Sequence, residues 1–172
     1  MDYVITAFAA GALLWAVVIY NRLVRDRNRV DAGWSDIDVQ LKRRHDLIPK
    51  LVAAVQQYGR YESSTIAAIT ELRREAGARE GAERARMEGD ISRGLHRLIA
   101  LAESYPDLQA SDNFLSLQRD ISAVENDIQF SRRYYNGAVR NLNTRIESFP
   151  DIILARIFGF LPREYFELES SS

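Results

Sequence analysis

From Tyr3 to Tyr20 the chain reads YVITAFAAGALLWAVVIY, a run of 18 residues without a charge. Only Thr6 and Gly11 depart from its apolar pattern. As a helix the run spans about 27 Å at ~1.5 Å per residue, close to the ~30 Å hydrocarbon core of a bilayer. Tyr3 and Tyr20 stand where headgroup-level aromatic rings are expected, and Trp15 is a third amphipathic aromatic. A buried core helix and a cleaved signal peptide are the competing readings. A secretory peptide wants a basic start and a small-residue cleavage site. This chain starts Met1-Asp2, and Tyr20-Asn21-Arg22 follows the run. The expectation is an uncleaved transmembrane anchor over residues 1–21, with the lipid bilayer as the partner of residues 3–20.

Charge asymmetry orients that anchor. Arg22, Arg25, Arg27 and Arg29 follow the run, while Asp2 is the only charged side chain before it. Positive-inside logic predicts a single-pass protein with its N-terminus outside and residues 21–172 in the cytoplasm. The same arginines are placed to touch anionic headgroups.

Beyond the anchor the periodicity is helical. Val30, Trp34, Ile37, Leu41, Ile48, Leu51, Val55 and Tyr58 recur at the spacing of a coiled-coil seam, and Arg44 falls in the same series. The spacing predicts one long helix leaving the membrane and running at least to Tyr58. Its register can be carried on through Glu62, Thr65, Ile69, Leu72 and Ala76, although Gly59 weakens the helix there. Pro49 lies inside it and predicts a kink near His45. Gly77 to Gly81 reads as a turn. A second helix carries Ile91, Leu95, Leu98 and Leu101 or Ala102, with Gly89 and Gly94 weakening its first half. Tyr105-Pro106-Asp107 stops it.

The third helix is the clearest. Capped by Ser111-Asp112-Asn113, it carries Phe114, Leu117, Ile121, Val124, Ile128, Ser131, Tyr135, Ala138, Leu142, Arg145 and Phe149. Phe149-Pro150 ends it, and a short apolar element runs from Ile152 to Phe158 before Gly159 and Pro162. At 172 residues, 47% apolar and 27% charged, the chain has room for one modest core. No strand-like alternation occurs. The expected fold class is all-α: a single N-terminal transmembrane helix, then an elongated antiparallel helical bundle. The bundle domain is placed at residues 22–150, with a short apolar C-terminal element and tail at 151–172.

Little in this chain is suited to carry chemistry. There is no cysteine, so disulfides, thiolate zinc sites, iron–sulfur clusters and thiol nucleophiles are all excluded. Lys and Arg total 23 against 24 Asp and Glu, which argues against a nucleic-acid partner. His45 and His96 lack the close spacing of a helical zinc motif. Glu71 and Glu75 read as acids on a solvated helix face rather than a sheltered acid–base pair. The expectation is no metal, no cofactor and no catalytic residue.

Two polar features carry more weight. Arg44 occupies a seam position, where an unpaired guanidinium would cost several kcal/mol. A carboxylate across the bundle is expected, with Glu125, Asp127 or Glu147 as partners and a role in fixing register. Asp31, Asp38 and His45 flank the seam every seven residues, as interhelical partners would. On the third helix Arg133, Asn136, Arg140, Asn143 and Glu147 line the face opposite the seam. Two asparagines in such a stripe suggest a hydrogen-bonded contact with another helix or another subunit.

These residues also carry a family resemblance. Tyr20-Asn21-Arg22-Leu23-Val24, Arg29-Val30-Asp31, and Trp34-Ser35-Asp36-Ile37-Asp38 through Arg44, with His45-Asp46-Leu47-Ile48-Pro49, closely resemble the N-terminal signature of the LemA family. Arg133-Tyr134-Tyr135-Asn136, Val139-Arg140, Asn143-Thr144 and Phe149-Pro150 resemble its second signature, and Phe158-Gly159-Phe160 with Pro162 to Phe166 its C-terminal end. The resemblance implies a bacterial inner-membrane protein with one N-terminal span and a mostly helical cytoplasmic domain. It carries over no catalytic residue and no cofactor. The function expected is a non-enzymatic, membrane-anchored scaffold or interaction protein that self-assembles as a homo-oligomer. The alternative is a regulatory partner of a membrane enzyme, such as a membrane protease. The C-terminal element from Ile152 to Leu161 is expected either to pack on the bundle end or to lie in the membrane interface. Ile153 and Phe158 are its test positions.

Overall fold

The computed structural model describes residues 1–57, 63–79, 81–102 and 104–166. Among the described residues the secondary structure is helical, with no strand. The helices are α1 (Asp2–Gln56), α2 (Ser63–Ala76), α3 (Gly81–Ala102), α4 (Pro106–Gln109), α5 (Asp112–Glu147) and α6 (Asp151–Ile157). The all-α class and the long apolar N-terminal helix agree with the sequence reading. The chain divides into two compact units, one built from Met1–Ser35 with Arg133–Tyr165 and the other from Asp36–Arg132 with Phe166.

In the first unit the last third of α5 packs on α1 in antiparallel fashion. Asp26 faces Arg145, and Trp34 meets Tyr135 with ring centroids 5.6 Å apart. Ile19, Leu23 and Val30 bury the α1 side, and Tyr135, Ala138, Val139, Leu142 and Ile146 the α5 side. Trp34, expected in the seam, is half-buried beside it, and Gly33 holds the buried position. The helices cross closely there. A Cβ on Gly33 would lie 3.2 Å from the Tyr135 Cα and from the Tyr134 ring. Phe149, expected as the last seam residue, is instead 81% exposed. The reason is that α5 ends at Glu147, so the chain turns before Phe149 can keep the register, and Ile146 is the last buried side chain of the helix.

In the second unit α1, α3 and α5 share one core with α2 and α4. Ile48, Leu51 and Val55 of α1 pack with Ile69 of α2, Ile91, Leu95 and Leu98 of α3, Leu108 of α4, and Phe114, Leu117 and Ile121 of α5. Arg43 and Arg44 face Asp127 and Glu125, so α5 again runs opposite to α1. Asp38 pairs with Arg84 and Arg44 with Glu88, so α3 runs in the same direction as α1. Ser111 caps α5 as expected, its hydroxyl accepting from the Phe114 amide at 3.5 Å.

The extended register through Ala76 is corrected. α1 ends at Gln56, and residues 63–76 form a separate helix. Ile69 shares a core with Leu51 and Val55, yet a straight helix would carry it about 21 Å beyond Val55 at ~1.5 Å per residue. The chain therefore has to break between them. The reading that α1 reaches Tyr58 falls on a residue outside the described ones. Pro49 is exposed, and α1 continues through it.

Candidate functional site

The first candidate surface is the start of α1. Its most apolar 18-residue window has a mean hydropathy of 2.0, and only 6% of it is buried against the rest of the chain. Phe8, Leu13 and Leu14 all stand well exposed. A helix long and apolar enough to cross a membrane thus stands almost entirely uncovered by the rest of the chain, with Ile19 near its end as the buried exception. That disposes of the buried-core reading, because a core helix would be covered by its own protein.

The C-terminal segment returns to the end of that apolar run. After α6, Gly159 adopts φ +68°, a left-handed turn that a side chain would strain. The turn brings Phe158 and Phe160 onto Tyr20, with centroids at 4.8 and 6.0 Å and edge-on geometry. The Arg27 guanidinium sits 5.4 Å above the Phe160 ring. Further along, Asn143 clamps the strap: its side-chain amide donates to the Arg163 carbonyl and its oxygen accepts from the Arg163 amide, both at 2.9 Å. Tyr135 donates to the Glu164 carbonyl at 2.9 Å, and Arg163 pairs with Asp31 at 3.1 Å. Burial raises the Tyr135 phenol above its ordinary value, with the neighbouring Arg163 charge opposing.

Two ion clusters lie inside the helix contacts. In the second unit Arg44 is 1% exposed and is met from two helices. It donates to the Glu88 carboxylate and carbonyl of α3, to Ser92, and to Glu125 of α5 at 2.7 Å. Ser92 donates to Glu125 at 2.9 Å, and His45 Nε2 lies 3.0 Å from a Glu88 oxygen. Burial alone would push the Glu88 carboxyl up. The His45 hydrogen bond and the Arg44 charge outweigh it and hold the group below its ordinary range. In the first unit Asp26, 5% exposed, accepts from Arg145 at 2.6 Å and Arg29 at 3.3 Å. Arg145 also reaches Asp151 at 3.0 Å, tying the start of α6 to α5.

Of the three carboxylates expected for Arg44, Glu125 meets it, Asp127 pairs with Arg43 instead, and Glu147 stands exposed at the end of α5; Glu88, outside that set, is the second partner. Its signal was legible, since Glu88 precedes Ile91, Leu95 and Leu98 at helical spacing. Asp26 was missed too, although Ile19, Leu23, Asp26 and Val30 continue the seam upstream. The polar stripe is partly committed to this chain itself: Asn143 holds Arg163, and Asn136 is half-buried. Arg140 is exposed, Tyr134 covers Gly33 with an exposed ring, and Ile153 stands on the outer side of α6. Among the described residues no group of three or more His, Asp or Glu is set to hold a metal.

Comparison with protein families matches residues 33–172 to the LemA family. Protein LemA of Metamycoplasma hominis is 29% identical, over 75% of this chain and 60% of its own length. Magnetosome protein MamQ 2 of Paramagnetospirillum magneticum is 26% identical, over 95% of this chain and 68% of its own. Magnetosome protein MamQ of Magnetospirillum gryphiswaldense is also 26% identical, over 86% of this chain and 64% of its own. The chain thus spans about two thirds or less of the length of these relatives.

Proposed function

This chain belongs to the LemA family, and on that premise we propose that it is a membrane-anchored helical scaffold that self-assembles on the cytoplasmic face of a bacterial inner membrane. The observation that carries the reading is the uncovered apolar helix before Tyr20. In water it would expose a continuous apolar surface, whereas a bilayer of matching thickness would cover it. Arg22, Arg25, Arg27 and Arg29 then hold the helical domain on the cytoplasmic side.

Several features favour a structural role over an enzymatic one. The buried ionisable groups are consumed in helix-to-helix pairs, which leaves them no access to a substrate. Neither LemA nor MamQ, as these relatives are named, is the name of an enzyme. Each unit leaves side chains uncovered that a second copy could meet, Val39 of α1 in one and Tyr134 and Arg140 of α5 in the other.

The test is the absolute protein mass of the detergent-solubilised complex, from light scattering corrected for bound detergent. A discrete mass many times the 19.7 kDa protomer is expected. A monomer would contradict self-assembly, and one dominant co-purifying membrane enzyme would favour the regulatory alternative.

A further inference from the structure

α6 does not bury all of its apolar side chains. Leu154 and Ala155 turn inward, but Ile153 and Ile157, one turn apart, are 46 and 67% exposed, and Phe149 just before the helix and Leu161 beyond the Gly159 turn are 81 and 75% exposed. Phe158 is half-uncovered beside them. Exposed apolar side chains of this kind on a charged protein call for a cover. The contact that says which cover is the edge-to-face meeting of Phe158 with Tyr20, 4.8 Å between ring centroids, because Tyr20 is the last residue of the apolar run. α6 is held there by Arg145 through Asp151 and by the Phe160 contact.

We propose that α6 and its flanks are a second membrane contact in the headgroup region, with Ile153 and Ile157 of the helix turned into the acyl boundary and Phe149 and Leu161 at its two ends. The inference rests on the anchor reading, since Tyr20 marks the headgroup level only if residues 3–20 cross the bilayer. Amphipathic aromatics and apolar side chains on one face, with cations close by, suit that depth. Arg156 on α6 and Arg22 and Arg25 on α1 are exposed and supply those cations. The short element then fixes the angle at which the helical domain leaves the membrane, which a single span leaves free to rotate.

The chain has no cysteine, so single labels can be placed cleanly. Leu13→Cys, Ile157→Cys and Arg140→Cys are each labelled with a polarity-sensitive fluorophore in the full chain, reconstituted into phosphatidylethanolamine–phosphatidylglycerol vesicles. Lipids spin-labelled near the headgroup should quench position 157 several-fold more than position 140. Lipids labelled deep in the acyl chain should quench position 13. Quenching at 13 with none at 157 would overturn the α6 contact while leaving the anchor intact. A blue-shifted but unquenched label at 157 would also overturn it, in favour of cover by a second copy of the chain. No quenching at either 13 or 157 would remove the anchor reading itself.

Discussion

Replacing Arg44 by Met leaves Glu88 and Glu125 facing each other inside the second unit without their shared cation. Breaking a buried ion cluster from one side typically costs about 3–5 kcal/mol, because the remaining charge keeps its desolvation cost. Thermal unfolding in detergent is expected to show that loss for Arg44→Met. Most of it should return when Glu88→Leu and Glu125→Leu are added, since apolar groups of similar volume need no partner. If the triple variant is no more stable than the single one, the cluster is worth more than its packing. Glu88 also sets a pH dependence. Its carboxyl is held below the ordinary value of 4.5 by His45 and Arg44 against the opposing effect of burial, so the unfolded chain binds its proton more readily. The stabilisation is complete above that value and is lost as pH falls through the lower folded one. Glu88→Gln should flatten this acid limb in an unfolding series from pH 7 downward, and an unchanged limb would assign it to other carboxylates.

At the scale of elements, the C-terminal strap makes the clearest prediction. Asn143 provides both a donor and an acceptor to the Arg163 backbone, so Asn143→Leu removes two hydrogen bonds at once. Amide exchange at Arg163 should accelerate at least tenfold while α3 is unaffected, as expected for local rather than global opening. Equal protection in the variant would mean that Tyr135 and Phe160 hold the strap unaided. The crossing of α1 and α5 offers a second test. Gly33→Val adds branched bulk where even a Cβ would lie 3.2 Å from backbone, and should destabilise by about 1–3 kcal/mol by denaturant titration.

The same elements show how much was readable beforehand. Nearly the whole α5 seam, its Ser111 cap and the stop near Pro106 follow from apolar spacing and cap chemistry alone. Phe149 and Trp34 were misplaced because spacing marks the buried face but not where a helix stops or how closely two helices cross. The strap was harder to see: Asn143 looks like any polar helix residue until the turn at Gly159 brings Arg163 alongside it.

For the molecule as a whole, membrane attachment depends on residues 3–20 crossing a bilayer and on the arginines after them staying inside. Mutating α6 alone should not release the protein, because the anchor buries far more apolar surface. Ile153→Asp with Phe158→Asp should therefore leave membrane fractionation unchanged while increasing the rotational freedom of a spin label at position 140. Release of the double variant into the soluble fraction would mean that the N-terminal helix is not an anchor. Which side of the membrane the helical domain occupies can be read from single cysteines in the full chain. In intact bacterial cells an impermeant maleimide should label Asp2→Cys, and should reach Glu147→Cys only after the inner membrane is opened. Labelling of Glu147→Cys in intact cells, or protection of Asp2→Cys throughout, would contradict a cytoplasmic helical domain on a single N-terminal span.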